Sequence, residues 1–224
     1  PSDLRDIVCP DEGCAWIVFD WDQAELRLIA ALAQDRTYLE AFAQGFDVHT
    51  LNACAIFQLP LPPDRLNPHT AESSVEWRSL VSWQGKDDTR RVFAKRFVYR
   101  LNYGGDPKKA GDIPGAQLLG LTPRKLVKAS ENLLAAHPAI AAWRRKAAQD
   151  ARQTGVSYTF MGRRRRLLSE GKVIEREAFN HPLQGGVADM FNITFLAIVE
   201  ALPYVEFMFQ SHDSFYWQVP LAQV

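Results

Sequence analysis

Two acids are placed to do chemistry together. Asp20 closes the short apolar run WIVFD, and Asp213 sits in SHDS between two apolar runs, Val205–Gln210 and Phe215–Val219. If those runs form a hairpin beside the first, both carboxylates reach one sheet edge. Two carboxylates that close repel unless a cation joins them. Hard oxygen donors of this kind select Mg²⁺ or Mn²⁺. A pair of ions roughly 3.5–4 Å apart would clamp the attacking and leaving oxygens of a phosphoryl transfer. Taken alone, each acid reads more readily as a strand-end or turn acid.

A second pattern is a stripe. Arg91, Lys95, Tyr99 and Tyr103 recur every four residues, so they share one slowly drifting helix face. The stripe runs from two cations to two aromatic rings, at about 6 Å per step. A nucleoside triphosphate laid along it would put phosphates on Arg and Lys and its sugar and base against Tyr. Spacing alone equally allows a surface stripe with two satisfied tyrosines. Arg163–Arg166 then follow a turn glycine. Four such cations suit a nucleic-acid backbone, or simply a solvated charge run.

These residues need elements to hold them. Trp16–Asp20 reads as a buried strand, and Gln23 to about Ala33 as a helix with Leu26, Ile29, Ala30 and Ala33 on one face. Short helices follow at Tyr38–Phe42 and His49–Phe57. The proline-rich stretch 58–74 is a loop and the best candidate boundary. Asp87, Asp88 and Thr89 offer caps for a helix from Arg90 to Asn102. Thr122-Pro123 opens a helix to about Ala136, and another runs from Pro138 to Gln153. Val156–Met161 and Arg163–Leu168 read as strand, turn, strand. Glu175–Phe179 and Gly186–Leu202 read as two helices parted by Pro182 and the Gly185-Gly186 pair. Val205–Gln210 and Phe215–Val219 form a β-hairpin.

Composition bounds the possibilities. With 224 residues, 47% of them hydrophobic and 23% charged, the chain can bury a sizeable core, and disordered or collagen-like classes are excluded. No apolar run approaches the roughly 20 residues of a membrane span, and no basic-then-apolar leader opens the chain. Cys9, Cys14 and Cys54 make no disulfide framework and lack the usual zinc spacing. They read as reduced thiols of a cytosol-like compartment, with zinc the weaker alternative. The net charge of zero conceals −8 over 1–85, +13 over 86–166 and −5 over 167–224. A basic middle suggests a polyanionic partner, and the acidic flanks can supply metal ligands. The chain opens on Pro1 and stops at WQVPLAQV as a strand finishes, so a piece of a longer protein is the expectation.

At these residues a family resemblance enters. DWDQAELRLIAALAQD from Asp20 resembles motif A of family A DNA polymerases, the bacterial polymerase I type. RVFAKRFVYRLNYGG from Arg91 resembles motif B, and QSHDS from Gln210 resembles motif C. FDVHT, MGRRRR and EREAFNHPLQGGVADM lie between them in the family's order. The resemblance implies an α+β right-hand polymerase: a palm of antiparallel sheet and helices, an inserted helical fingers subdomain, and no thumb. The palm would be 1–60 and 167–224, and the fingers 61–166.

The resemblance also assigns roles. Asp20 and Asp213 match the metal-binding aspartates, implying two Mg²⁺ ions. Arg91 and Lys95 match the triphosphate grips, with Gln23 and His49 close to the incoming nucleotide. Glu25 matches the residue that crowds the sugar 2′ position, Tyr99 the aromatic stacked on that sugar, and Tyr103 the tyrosine at the template base. Arg163 and Arg164 fit the DNA backbone. Arg176, Asn180, Gln184 and His212 match primer and template contacts. The implied reaction is template-directed addition of deoxynucleotides to a primer 3′ end. Its partners would be primer–template DNA, deoxynucleoside triphosphates and the remaining polymerase domains, in the cytoplasm and with no membrane. Three residues depart from the pattern: Ser214 stands for the usual Glu, Arg100 for Gly and Asp22 for Ser. A non-catalytic DNA-binding remnant and a single-subunit RNA polymerase are the rivals. The two aspartates argue against the first and Glu25 against the second.

Overall fold

A computed structural model describes residues 9–62, 75–211 and 214–223. Strand β1 (Cys14–Asp20) is followed by helices α1 (Ala24–Ala33), α2 (Arg36–Ala43) and α3 (Val48–Phe57). Helix α4 (Val75–Leu80) and a 3₁₀ turn (Gly85–Asp87) precede α5 (Thr89–Asn102). A 3₁₀ segment (Pro107–Asp112) leads to α6 (Pro123–Ala136) and α7 (Pro138–Thr154). Then come the ribbon β2 (Val156–Tyr158) and β3 (Arg164–Arg166), helix α8 (Gly171–Ala201), and the hairpin β4 (Glu206–Ser211) and β5 (Ser214–Pro220). The class is α+β with antiparallel sheets, as expected. Helix starts follow local chemistry: Asp35, Asp47, Asp88 and Thr122 each accept a backbone N–H from the first turn that they cap.

The chain packs as two compact units, Pro1–Ala24 with Val187–Val224, and Glu25–Gly186. This partition follows packing, whereas the division 1–60, 61–166 and 167–224 follows motifs. They differ because α3 packs on α5 and α6.

In the first unit the sheet order is β1-β5-β4, antiparallel throughout. Central β5 is the buried strand, with Phe215 3% and Trp217 1% exposed. They form a core with Phe191 of α8, against which Val187, Phe195, Ile198 and Val205 pack. A register shift between Phe207 and Phe209 breaks the two-residue alternation of β4. Phe207 therefore joins Trp217 and Phe195, while Phe209 stacks on Tyr216 beside Trp16. The expectation of a buried β1 is corrected. It is an edge strand, and near its end Val18 and Phe19 are 49% and 41% exposed.

The second unit buries polar groups in matched sets. Asp35 and His137 are both buried, with Oδ1 and Nδ1 3.0 Å apart. The Tyr38 hydroxyl donates to Asn52 Oδ1 at 2.7 Å. Helix α5 buries Phe93, Ala94, Phe97, Val98 and Leu101, with the Phe93 and Phe97 rings stacked.

The two helices expected around Pro182 are one continuous α8. Proline lacks the N–H that would bond the Ala178 carbonyl. Ser157 Oγ from β2 donates to that carbonyl instead, at 3.1 Å. The glycine pair serves close approach rather than breaking the helix. A Cβ at Gly185 would fall 2.7 Å from Thr159 Cγ2, and one at Gly186 2.7 Å from Leu28 Cδ2. Continuity also revises the membrane expectation. This helix is long and apolar enough to cross a bilayer by length and composition. Its apolar residues Val187, Phe191, Phe195 and Ile198 serve the core of the first unit.

Replacing Ser157 with Ala leaves the buried Ala178 carbonyl without its donor, so Ser157→Ala should cost about 1–3 kcal/mol in urea unfolding. In a Pro182→Ala background the restored N–H takes that carbonyl, and the same change should cost clearly less. Equal costs in both backgrounds would contradict the substitution of hydroxyl for amide.

Candidate functional site

The start of α5 is fixed by two acid–arginine pairs. Asp88 accepts from the Arg90 backbone N–H and from Arg90 Nε, both at 2.9 Å, and from Arg90 Nη2 at 2.7 Å. Burial pushes the Asp88 carboxyl up, but its bonds to Arg90 and to the backbone of Gln84 bring it below its ordinary value. Arg90 also reaches the carbonyls of Val81 and Ser82. Its charge is therefore spent inside the fold. Arg91 donates from Nε and Nη2 to the two oxygens of Asp47, at 2.7 and 3.0 Å.

The expected stripe keeps off the buried face of its helix. Lys95 is exposed and makes no ion pair among the described residues. Tyr99 is half-buried, its ring 6.3 Å from that of His49. Tyr103 closes the helix as its C-cap.

Five expected site residues, distant in sequence, meet at that end. The Tyr103 hydroxyl donates to Glu25 of α1 and also bonds the Gln184 side chain. Asn180 Nδ2 donates to the Tyr103 carbonyl at 3.2 Å. Gly104 has φ +72, and a Cβ there would fall 2.4 Å from Arg176 Cγ. Burial first, then the bond to Glu25 and its charge, raise the Tyr103 phenol well above its ordinary range. Arg163 sits in the turn between β2 and β3 and donates to the Gly185 carbonyl at 2.5 Å, while Arg164 lies exposed in β3. Arg100, the cation in a usual glycine position, turns toward the 3₁₀ segment. Its Nη1 meets Asp112 at 2.8 Å, and its side chain crosses Gly105, where a Cβ would lie 2.5 Å from Arg100 Cγ.

In the other unit, Asp20 is exposed at the end of β1, opposite Ser214. Ser214 follows Asp213 in the chain; His212 and Asp213 themselves lie outside the described residues. Gln23 has φ +56 and donates to Asp22 Oδ1 at 3.3 Å. Among the described residues no group of three His, Cys, Asp or Glu could hold a metal. Of the two acids expected to bind metal only Asp20 is described, and its carboxylate is the hard oxygen donor that suits Mg²⁺. That exposed carboxylate pairs in register with Ser214, and the one thiol of this strand, Cys14, is at the opposite end of β1 against Pro220. The three cysteines are free.

Sequence reasoning missed two partners. Asp47 is readable as a cap before α3, but its pairing with Arg91 spans 44 positions. Arg144 donates to Asn102 at 2.6 Å, and burial lowers its guanidinium to about 10. Nothing local marks either contact.

A sequence model of DNA polymerase family A matches residues 2–224. Thermostable DNA polymerase I of Thermus thermophilus is 28% identical over 97% of this chain and 24% of its own length. DNA polymerase I of Geobacillus stearothermophilus is 27% identical over 99% of this chain and 24% of its own. Among solved structures, the POL domain of Pol1 from M. smegmatis, in complex with DNA primer-template and dNTP, matches with a TM-score of 0.74 at 25% identity. That match covers 98% of this chain and 36% of the other. The chain thus spans about a quarter of the length of these curated relatives.

Glu25 holds the Tyr103 proton by a bond and by its charge. Glu25→Gln should therefore let Tyr103 titrate at lower pH, read as the alkaline absorbance difference against Tyr103→Phe. An unchanged titration would contradict the contact.

Proposed function

The chain belongs to DNA polymerase family A, and from that membership we propose that it is the palm-and-fingers core of a DNA-directed DNA polymerase. In this reading the palm is 1–60 and 167–224 and the fingers 61–166. The observation that carries it is the meeting of Glu25, Tyr103, Arg176, Asn180 and Gln184 around the end of a helix whose outer side carries Lys95 and Tyr99. An incoming deoxynucleoside triphosphate would lie along α5, and primer–template DNA across its end and the β2–β3 ribbon.

Each residue then has a physical task. Arg91 and Lys95 hold the triphosphate through charge-assisted hydrogen bonds. Tyr99 packs against the sugar, with His49 beside it and Gln23 close to the nucleotide. Glu25, bonded to Tyr103, crowds the 2′ position and disfavours ribose. Tyr103 holds the template base position. Arg163, Arg164, Arg176, Asn180, Gln184 and His212 bind the DNA strands near the primer terminus. Asp20 and Asp213 would hold two Mg²⁺ ions, and metal held there supplies the charge that acidifies the primer 3′ hydroxyl and balances the leaving pyrophosphate. Ser214 leaves that site one carboxylate poorer than the family pattern. The remaining polymerase domains, on this or another chain, complete the grip on DNA, and the cytoplasm of a bacterial or phage-infected cell is the setting.

Primer extension with Mg²⁺ tests the reading. Asp20→Asn and Asp213→Asn should each lower the extension rate about a thousandfold, the equivalent of several kcal/mol of lost charge stabilisation. Primer–template binding, measured by fluorescence anisotropy, should stay near the unsubstituted value. Extension at near-normal rates would overturn the assignment.

A further inference from the structure

We propose that Asp47 is a positioning residue for Arg91, presetting its guanidinium so that the N–H groups left over meet the triphosphate of an incoming nucleotide. The inference rests on the reading above that Arg91 meets that triphosphate. A guanidinium has five N–H donors in a rigid plane. In Arg91, Nε and one Nη2 donor go to Asp47, and one Nη1 donor goes to the Lys86 carbonyl at 3.0 Å. One donor remains on each terminal nitrogen, an edge suited to two phosphate oxygens.

The anchor is itself anchored. Asp47 caps α3, and its Oδ2 accepts the Thr50 backbone N–H at 3.1 Å and the Thr50 hydroxyl. Both pair members are largely buried, with side chains 15% and 11% exposed. The carboxylate therefore cannot swing, and it fixes the plane of the guanidinium. It also ties helix α3, which carries His49, to helix α5, which carries Lys95 and Tyr99. Preorganisation of this kind strengthens ligand binding by removing the freedom that binding would otherwise have to remove.

Charge and orientation predict opposite signs, which makes the role testable. Losing a carboxylate beside the site would by itself tighten anion binding. Losing the orientation of Arg91 would weaken it. The experiment measures the Kd of a deoxynucleoside triphosphate for the full-length polymerase carrying this segment, on primer–template ended in a dideoxynucleotide so that no chemistry follows. Asp47→Asn keeps an equally good helix cap. Asp47→Ser does the same with a smaller side chain, and thermal unfolding of both variants verifies the fold. Either folded variant should raise Kd about tenfold or more, the share of a charge-assisted hydrogen bond. In an Arg91→Ala background the same substitutions should change Kd less than twofold. An unchanged or lower Kd in Asp47→Asn, with Kd raised in Arg91→Ala, would overturn the positioning role alone. An unchanged Kd in Arg91→Ala would overturn it together with the reading of Arg91.

Discussion

A helix with five cations and no acid needs carboxylates from outside it wherever those cations are buried. Helix α5 is that helix, with Arg90, Arg91, Lys95, Arg96 and Arg100. Asp88 meets Arg90, Asp47 meets Arg91 and Asp112 meets Arg100. Glu25 meets the tyrosine that closes it. Each acid comes from a different stretch of chain, and the two that meet Arg90 and Arg91 also cap helices. Removing one partner of a buried pair leaves a costly bare charge, so the largely buried Arg90–Asp88 and Arg91–Asp47 pairs fix where the start of the helix can sit. The collar covers its two ends. Lys95 and Arg96, in the middle, are exposed and pair with no described residue. The charge of α5 is thus neutralised at its largely buried start and bare in its exposed middle.

The sheet solves a different problem. In the proposed metal role, Asp20 must be held without being paired away by a cation of the fold. An edge strand does this: its backbone is fixed by β5 on one side while its last residues face outward. Aromatic packing behind β5 keeps the strands in register, and the bulge in β4 lets both faces of the sheet use phenylalanine. A register slip of one residue would send the whole set to the opposite faces. The core of this unit is therefore what keeps Ser214 opposite Asp20.

Much of this was legible in the sequence, for local reasons. Caps such as Asp88 and Thr122 and the four-residue stripe of α5 act within a turn or two, and the sequence reading of those helices lies within a few residues of the observed bounds. The continuity of α8 was not legible. Pro182 and two glycines read as breaks until a serine on β2 and a leucine on α1 are brought against them. The same holds for Arg91, whose partner lies 44 positions earlier. It holds too for Arg100, whose approach to Asp112 depends on the bare backbone of Gly105. What failed to be readable was tertiary substitution, one group standing in for a partner that the local pattern lacks.

In the proposed function the uncompensated middle of α5 receives a triphosphate. The most direct measurement is a crystal structure with dideoxy-ended primer–template, the matching deoxynucleoside triphosphate and Mg²⁺. Phosphate oxygens should lie on Lys95 and on the outer N–H groups of Arg91, with the sugar against Tyr99. A nucleotide whose triphosphate lies instead on Arg163–Arg166, with Lys95 left in solvent, would contradict it.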